Sequence, residues 1–260
     1  MNLRVMTFNL RFENDRDGSN VWRNRRSLVL KIIRKFRPSI LGTQEGMKSQ
    51  LNYLEEHLKG YHLHTPFRVW DDTCQYPTLF VERERFEILG GKEFWLSKTP
   101  QVHRSKDWDS AFPRMMSYAN LKDRESGKSF SAAVTHLDHI GEEARTKQAE
   151  IIGDWVNQKA NPVILMGDFN DKPGSPAHDL LTGSQSRLTD SWQDMQGSEG
   201  KESFTHHGFT GVPETSRIDW ILTSRQWTVK NACIVRDRYD GRYPSDHFPY
   251  YVDLEWQANR

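Results

Sequence analysis

Val163-Ile164-Leu165-Met166 is apolar at every position, and Gly167-Asp168-Phe169-Asn170 follows it at once. An unbroken run of this length, bounded by glycine and polar residues, reads as a buried strand rather than an amphipathic one. A strand of that kind needs cover on both faces, which points to a layered α/β chain. The polar residues at its end face a cleft, because the strand interior is already committed to packing.

The rest of the chain alternates strand-like and helical patterns. Leu3 to Asn9 and Ile40 to Gln44 read as strands, the second delivering Glu45. Val21 to Phe36 reads as a helix: Val21, Leu28, Val29, Ile32, Ile33 and Phe36 recur near the helical period, and Pro38 stops it. Ser49 to Leu58 is a second helix, with Gly60 just past its end. Strands are expected around Leu79, Ile88 and Phe94. Ser117 to Leu121 and Phe130 to Thr135 form a hairpin across Glu125-Ser126-Gly127-Lys128 that delivers His136. Glu142 to Val156 is a helix, and Ser175-Pro176 opens a short one. Ile218 to Thr223 and Tyr250 to Glu255 are the last clear strands. Many strands in mixed order with three or four helices argue against a doubly wound parallel sheet. Two sheets packed face to face with helices outside fit better.

Composition narrows function. Lys and Arg total 36 against 35 Asp and Glu, a formal net charge of +1. That balance argues against a strongly basic, non-specific nucleic-acid binder. Cys74 and Cys233 fit no metal spacing and read as reduced structural thiols. No apolar segment has the length of a membrane span, and none resembles a signal peptide, so the expected location is the cytoplasm without membrane insertion. No linker or repeat divides the chain, so residues 1–260 are expected to form a single domain with no obligate protein partner. Trp22, Trp95 and Trp155 sit in apolar patterns and read as core, whereas Trp70 and Trp108 lie in loops and are candidates for a cleft rim. His62 and His64 alternate on a strand-like run and are expected at the surface.

Six fragments carry the chemistry, in this order: Asn9 in Thr7-Phe8-Asn9-Leu10-Arg11, Glu45 in Thr43-Gln44-Glu45, His136 in Val134-Thr135-His136-Leu137, Asp168 and Asn170 in Gly167-Asp168-Phe169-Asn170, Asp219 in Arg217-Ile218-Asp219-Trp220, and Asp246-His247 in Ser245-Asp246-His247-Phe248-Pro249. Alone, each has a plainer reading. Asp168 and Asn170 suit a turn after a strand. Glu45 suits a helix cap, and Asp219 a pairing with Arg217. Together and in this order, from Leu3 to Glu255, the chain resembles the endonuclease/exonuclease/phosphatase superfamily. Deoxyribonuclease I, abasic-site endonucleases, inositol-polyphosphate 5-phosphatases, deadenylases and sphingomyelinases belong to it. Trp22 with Arg25-Arg26, Phe94-Trp95-Leu96-Ser97, Trp108-Asp109 before Pro113-Arg114, and Asp240-Gly241-Arg242-Tyr243-Pro244 point to a bacterial branch. The resemblance implies a four-layer α/β sandwich, two mixed sheets packed face to face and flanked by helices.

Hydrolysis of an anionic phosphate ester needs charge neutralisation, an aligned water and proton management. Glu45, Asp168, Asp219 and Asp246 gathered in one site would repel each other. Two like charges ~4 Å apart cost about 4 kcal/mol at an effective dielectric of ~20. A divalent cation relieves this, and hard oxygen donors favour Mg²⁺ or Mn²⁺ over Zn²⁺. The resemblance implies Glu45 as metal ligand, with Asn9 beside it and Asp246 as a further ligand. It implies Asp168 and Asn170 as orienting water and phosphate, His136 as a donor to a phosphate oxygen, and His247 paired with Asp219 as either general base or cationic stabiliser. Arg114 stands where deoxyribonuclease I carries a phosphate-contacting arginine, seven residues before Leu121. Gln75 stands where many relatives carry a glutamate that supports His136; an amide there cannot stabilise a charged imidazole. His136-Leu137-Asp138-His139 also resembles part of the metallo-β-lactamase signature, but Val134 occupies the place of its first histidine. The expected activity is a metal-dependent phosphodiesterase, with nuclease action one alternative. A phosphatase on a sugar- or lipid-linked phosphate is another. A non-catalytic scaffold is disfavoured because Glu45, Asp168 and His247 are all present.

Overall fold

The computed structural model describes residues 1–257. One six-stranded sheet contains β1 (Asn2–Asn9), β2 (Ile40–Gly46), β3 (Tyr61–His64), β4 (Tyr76–Glu82), β11 (Trp227–Ile234) and β12 (Tyr250–Trp256), in the order β11-β12-β1-β2-β4-β3. The other contains β5 (Phe86–Trp95), β6 (Met115–Asp123), β7 (Ser129–His136), β8 (Val163–Asp168), β9 (Leu188–Asp190) and β10 (Asp219–Ser224), in the order β5-β6-β7-β8-β10-β9. Helices α1 (Trp22–Phe36) and α2 (Lys48–His57) cover the first sheet. Helices α3 (Glu142–Asn157) and α4 (Pro176–Thr182) cover the second, and the single turn α5 (Ser191–Asp194) follows β9. The architecture is the four-layer sandwich expected.

Alternation along each strand explains the layers. Leu3 and Val5 of β1 enter the core between the sheets, while Met6 and Phe8 face the α1/α2 layer. On β8, Ile164 and Met166 point between the sheets, and Val163 and Leu165 point toward α3 and α4. Both faces are buried, so no position of the run is free to be polar. Each fully buried aliphatic side chain contributes about 1.5–3 kcal/mol. The parallel pairs β1/β2 and β7/β8 are the ones bridged by helices, α1 and α3. Helix ends follow local chemistry. Ser175 Oγ accepts from His178 N at the start of α4, and Arg37 closes α1 in a left-handed conformation (φ 46°) just before Pro38.

The two sheets approach closely at Gly42, where a Cβ would lie 2.6 Å from the Met166 side chain, and β7 and β8 are pressed together within their own sheet at Gly167. A Cβ on Gly167 would lie 2.3 Å from the Thr135 carbonyl oxygen, a backbone atom in the neighbouring strand that cannot step aside. Gly167→Ala is therefore expected to cost about 1–3 kcal/mol by urea unfolding. It should also lower activity, because Asp168 is the next residue. A midpoint equal to wild type would contradict this packing.

Several expectations are corrected. The strands anticipated around Ile88 and Phe94 are one strand, β5, whose register shifts between Ile88 and Gly90; the two glycines there break the alternation. The sheet-edge strand β11 had no clear signal, because its pairing with β12 shifts between Val229 and Asn231 and its sequence is half polar. His64 is buried, with its Nε2 2.9 Å from the Tyr118 carbonyl oxygen, rather than lying at the surface. Trp22, Trp95 and Trp155 are core, as expected. No helix among the described residues is long and apolar enough to cross a membrane.

Candidate functional site

The topology gathers the six fragments at one end of the sandwich. β1, β2, β7 and β8 end there, and the antiparallel neighbours β10 and β12 begin there. Between the sheets at that end lies a cleft of about 410 Å³ lined by Glu45, Arg114, His136, Asp168, Asn170, Asp246 and His247, among others. Asn9 and Asp219 lie directly behind this lining.

Asp168 is the hub. Its Oδ2 accepts from Asn9 Nδ2 at 2.9 Å and lies 3.5 Å from His136 Nε2 and 3.8 Å from His247 Nε2. Its Oδ1 accepts from the Asn170 backbone N–H at 2.9 Å. His247 Nδ1 meets Asp219 Oδ2 at 2.9 Å, the expected pair. Asn9 Nδ2 also reaches Glu45 Oε1 at 3.2 Å, while its own oxygen accepts from Arg11 N. In this orientation Asn9 turns its Nδ2 toward the two carboxylates and its Oδ1 toward Arg11 N. Glu45 does not cap α2, whose Met47 N–H donates instead to the Gln50 side chain; Glu45 Oε2 accepts from Phe12 N at 3.0 Å. Arg217 leaves Asp219 free, because it pairs with Asp190 and Glu199.

Burial and charge set the protonation states. Burial, then the neighbouring Asp219, push the Asp168 carboxyl up to about 7. Burial would lower the His247 pKa, yet Asp219 and Asp168 hold it well above the ordinary imidazole value. His136 goes the other way. Burial first, then Arg114 and His247, drive it well below that value, so it is neutral. Its Nε2 lies 2.9 Å from Asn170 Nδ2, an amide donor, so any hydrogen bond that His136 gives comes from Nδ1. Gln75 lines the same cleft, but among the described residues no hydrogen bond joins it to His136. The neutrality of His136 is accounted for by burial and Arg114, and the expected Gln75–His136 contact is withdrawn.

Backbone strain collects here. Arg11, Glu45 and Asn170 hold φ values of 52°, 60° and 51°. Non-glycine residues in that region cost on the order of 1–3 kcal/mol and persist where the surroundings impose them. Glu45 sits where the β2–β4 register breaks between Thr43 and Gly46, and such a break re-aims a side chain. Arg25 of α1 supports the same region from behind. Buried, it donates to the carbonyls of Leu10, Arg11 (2.6 Å), Asn20 (2.9 Å) and Pro244 (3.1 Å). It thereby ties the exit of β1 to the segment that carries Asp246 and His247.

The sequence reading missed other cleft residues: Arg11, Phe12, Phe112, His139 and His206. Arg11 Nε lies 3.7 Å from Asp246 Oδ2, and the His206 and His247 rings are 4.9 Å apart. Trp70 and Trp108 are not among the cleft-lining residues, and Phe12 and Phe112 occupy the rim instead. Trp70 packs edge-on against Tyr76. The His136-to-His139 segment holds no metal motif. Asp138 Oδ1 accepts from Ile140 N (3.0 Å) and Gly141 N (2.8 Å). Its Oδ2 accepts from Ser110 Oγ (3.2 Å), Ala111 N (3.0 Å) and Phe112 N (3.2 Å). The motif's one visible signal was its histidine at the far end, His139, which does face the cleft.

His206, Asp246 and His247 present ligand atoms within 4.8 Å of one another, and so do Asp168, Asp219 and His247. His247, held charged by its carboxylates, has no lone pair to give, so the donors left for a divalent cation are the carboxylates. Asp219 Oδ1 is buried without any hydrogen-bond partner, an acceptor whose lone pairs are unmet. Glu45 and Asp246 line the cleft with hard oxygen donors.

Comparison with known proteins agrees with this geometry. No curated protein sequence matches the chain. An endonuclease/exonuclease/phosphatase family protein of Bacteroides thetaiotaomicron is 30% identical, with a TM-score of 0.90 and 99% of both chains covered. The mannosyl-6-phosphatase Bt3783 of the same species is 31% identical over 98% of this chain and 100% of that one, with a TM-score of 0.87. The human Nocturnin catalytic domain, at 22% identity, a TM-score of 0.74 and coverage of 98% and 94%, shares the fold. The model of the endonuclease/exonuclease/phosphatase family matches residues 6–247, and the chain belongs to that family of phosphoester hydrolases.

Proposed function

We propose that the cleft hydrolyses a small sugar-linked phosphate with Mg²⁺ or Mn²⁺ held by Glu45 and Asp246. The single observation carrying this reading is the Asp219–His247–Asp168 array at the cleft floor, with Arg114 and neutral His136 beside it. When bound, the cation neutralises the phosphate and polarises its oxygen. Asp168, held near neutrality by burial and Asp219, is suited to take a proton from the attacking water, with Asn170 fixing its carboxylate. His247, kept charged by Asp219, suits stabilisation of charge on the phosphoryl oxygens; the raised pKa favours this role over that of base. Arg114 supplies donors to the phosphate and neutral His136 supplies one from Nδ1, while Asn170, whose amide hydrogens go to His136 Nε2 and the Leu137 carbonyl, holds the imidazole in that tautomer.

The preference for a diester came from the resemblance alone. Two features favour the phosphatase alternative. The cleft, at about 410 Å³, has the size of a small-ligand pocket. The mannosyl-6-phosphatase is among the proteins most similar to this chain. The test is a substrate screen: hexose 6-phosphates, mono- and bis-aryl phosphates, plasmid, abasic duplex and single-stranded RNA, each with Mg²⁺, with Mn²⁺ and with chelator. Turnover of hexose phosphate should vanish in chelator and return with either ion. Full activity in excess chelator would sink the metal assignment, and activity confined to polynucleotides would sink the sugar-phosphate reading.

A further inference from the structure

Phe112 is 55% exposed, unusual for a large apolar side chain, and it lines the cleft. Its ring stacks on His139, with centroids 5.6 Å apart and planes 20° from parallel. Arg114 Nη2 lies 3.1 Å from His139 Nδ1. A guanidinium only donates, so Nδ1 must accept, and the proton of the neutral ring sits on Nε2. Burial and Arg114 lower the His139 pKa, which agrees with a neutral ring. The shelf therefore offers an apolar aromatic face and, at its side, one N–H donor of fixed position.

The shelf is preorganised. The buried Asp138 carboxylate accepts from Ala111 N and Phe112 N with one oxygen and from Ile140 N and Gly141 N with the other. One side chain thus pins the two loops that carry the two rings. A merely accidental exposed phenylalanine would have no such support. Preorganisation of this kind lowers the ordering cost of binding.

We propose that Phe112 and His139 seat the pyranose ring of a hexose phosphate, the C–H face of the sugar lying on Phe112 and His139 Nε2–H donating to a ring hydroxyl. The inference rests on the phosphoester hydrolase reading and adds the residues that select the alcohol. A single aromatic face with a lateral donor suits a ring that is apolar on its faces and hydroxylated at its edge. A nucleobase could stack on the same face, so a nucleotide is the competing ligand that the test includes.

The test compares kcat and KM for hexose 6-phosphate, methyl phosphate and a nucleoside 5′-monophosphate in wild type, Phe112→Ala, Phe112→Trp and His139→Ala. Phe112→Ala should lower kcat/KM for hexose phosphate about tenfold or more, mostly through KM, with a clearly smaller loss on methyl phosphate. Phe112→Trp should restore most of it, and His139→Ala, which also removes a partner of Arg114, should lower turnover of both substrates but that of hexose phosphate more. Equal losses on both substrates would mean a structural role and overturn the proposal. A larger loss on the nucleotide would overturn it in favour of a base seat. Wild-type turnover of methyl phosphate without hexose phosphate would overturn the seat while sparing the hydrolase reading; absence of any phosphoester turnover would overturn that reading itself. Saturation-transfer NMR of hexose 6-phosphate on wild type provides the check independent of variants, with contact expected at the ring protons.

Discussion

Replacing His247 with alanine is expected to lower turnover by at least about 10²-fold, and Asp168→Ala should do the same. His247 lies 2.9 Å from Asp219 and 3.8 Å from Asp168, so its removal deletes the cation that two buried carboxylates hold in place. Asp168 is the point where Asn9, His136, Asn170 and His247 meet, and no neighbouring side chain can take over its position. Stability should respond differently. Asp168→Asn removes a carboxylate whose burial and neighbour, Asp219, both disfavour the charge. Its thermal midpoint at pH 8 without metal should be no lower than wild type. Thermal melts beside single-turnover assays check both halves. Near-normal turnover in either alanine variant would show that the reacting centre lies elsewhere.

The largest loss of stability is expected at Asp138, which is fully buried. Asp138→Ala strands four backbone N–H groups and leaves Arg114, 3.5 Å away, without its carboxylate. Each buried orphan costs about 1–3 kcal/mol, and breaking a buried charged pair costs about 3–5 kcal/mol. These terms overlap, so a total on the order of 3–5 kcal/mol is expected at pH 7. The pH dependence has a definite sign. Burial would raise the Asp138 pKa, but the amides hold it well below the ordinary carboxylate value. Its contribution is therefore present above the unfolded value, about 4, and is lost as pH falls toward the folded one. The gap in urea midpoint between wild type and Asp138→Ala should narrow below about pH 4; a gap independent of pH would count against this role.

What was legible in the sequence follows from physical range. Two sheets with helices outside could be read from the pattern, most plainly at β8, which is buried on both faces and apolar through Val163–Met166, whereas the four-layer order followed from the family resemblance. The edge strand β11 could not, since one open side removes the pressure for regular alternation. In the cleft, the ends of the strongest strands announced Asn9, Glu45, His136 and Asp168. Phe112, His139 and His206 sit on loops whose placement depends on partners far along the chain: Asp138 for the first two, and the bridge to His247 for the third. The Asp138 case is instructive. Its neighbours suggested a metal motif, whereas its carboxylate is fully engaged by backbone amides, a use that leaves no periodic trace.

The groups proposed to carry the reaction are divided between the two sheets, with Asn9 and Glu45 on β1 and β2, and His136, Asp168 and Asp219 on β7, β8 and β10. Within a sheet, ladder hydrogen bonds fix spacing. Across the gap, side-chain packing carries most of that task, with Asn9 to Asp168 one of the few polar bridges. A slide of one sheet over the other by a fraction of an ångström would separate the halves of the site before any strand came apart. Catalysis is thus a gauge of shear between the layers, and mild denaturant should silence the enzyme ahead of the loss of secondary structure. The same division would let one layer vary the loops beside β6 and β7, where the proposed Phe112–His139 seat lies, while the other keeps Glu45, the carboxylate proposed to receive the metal.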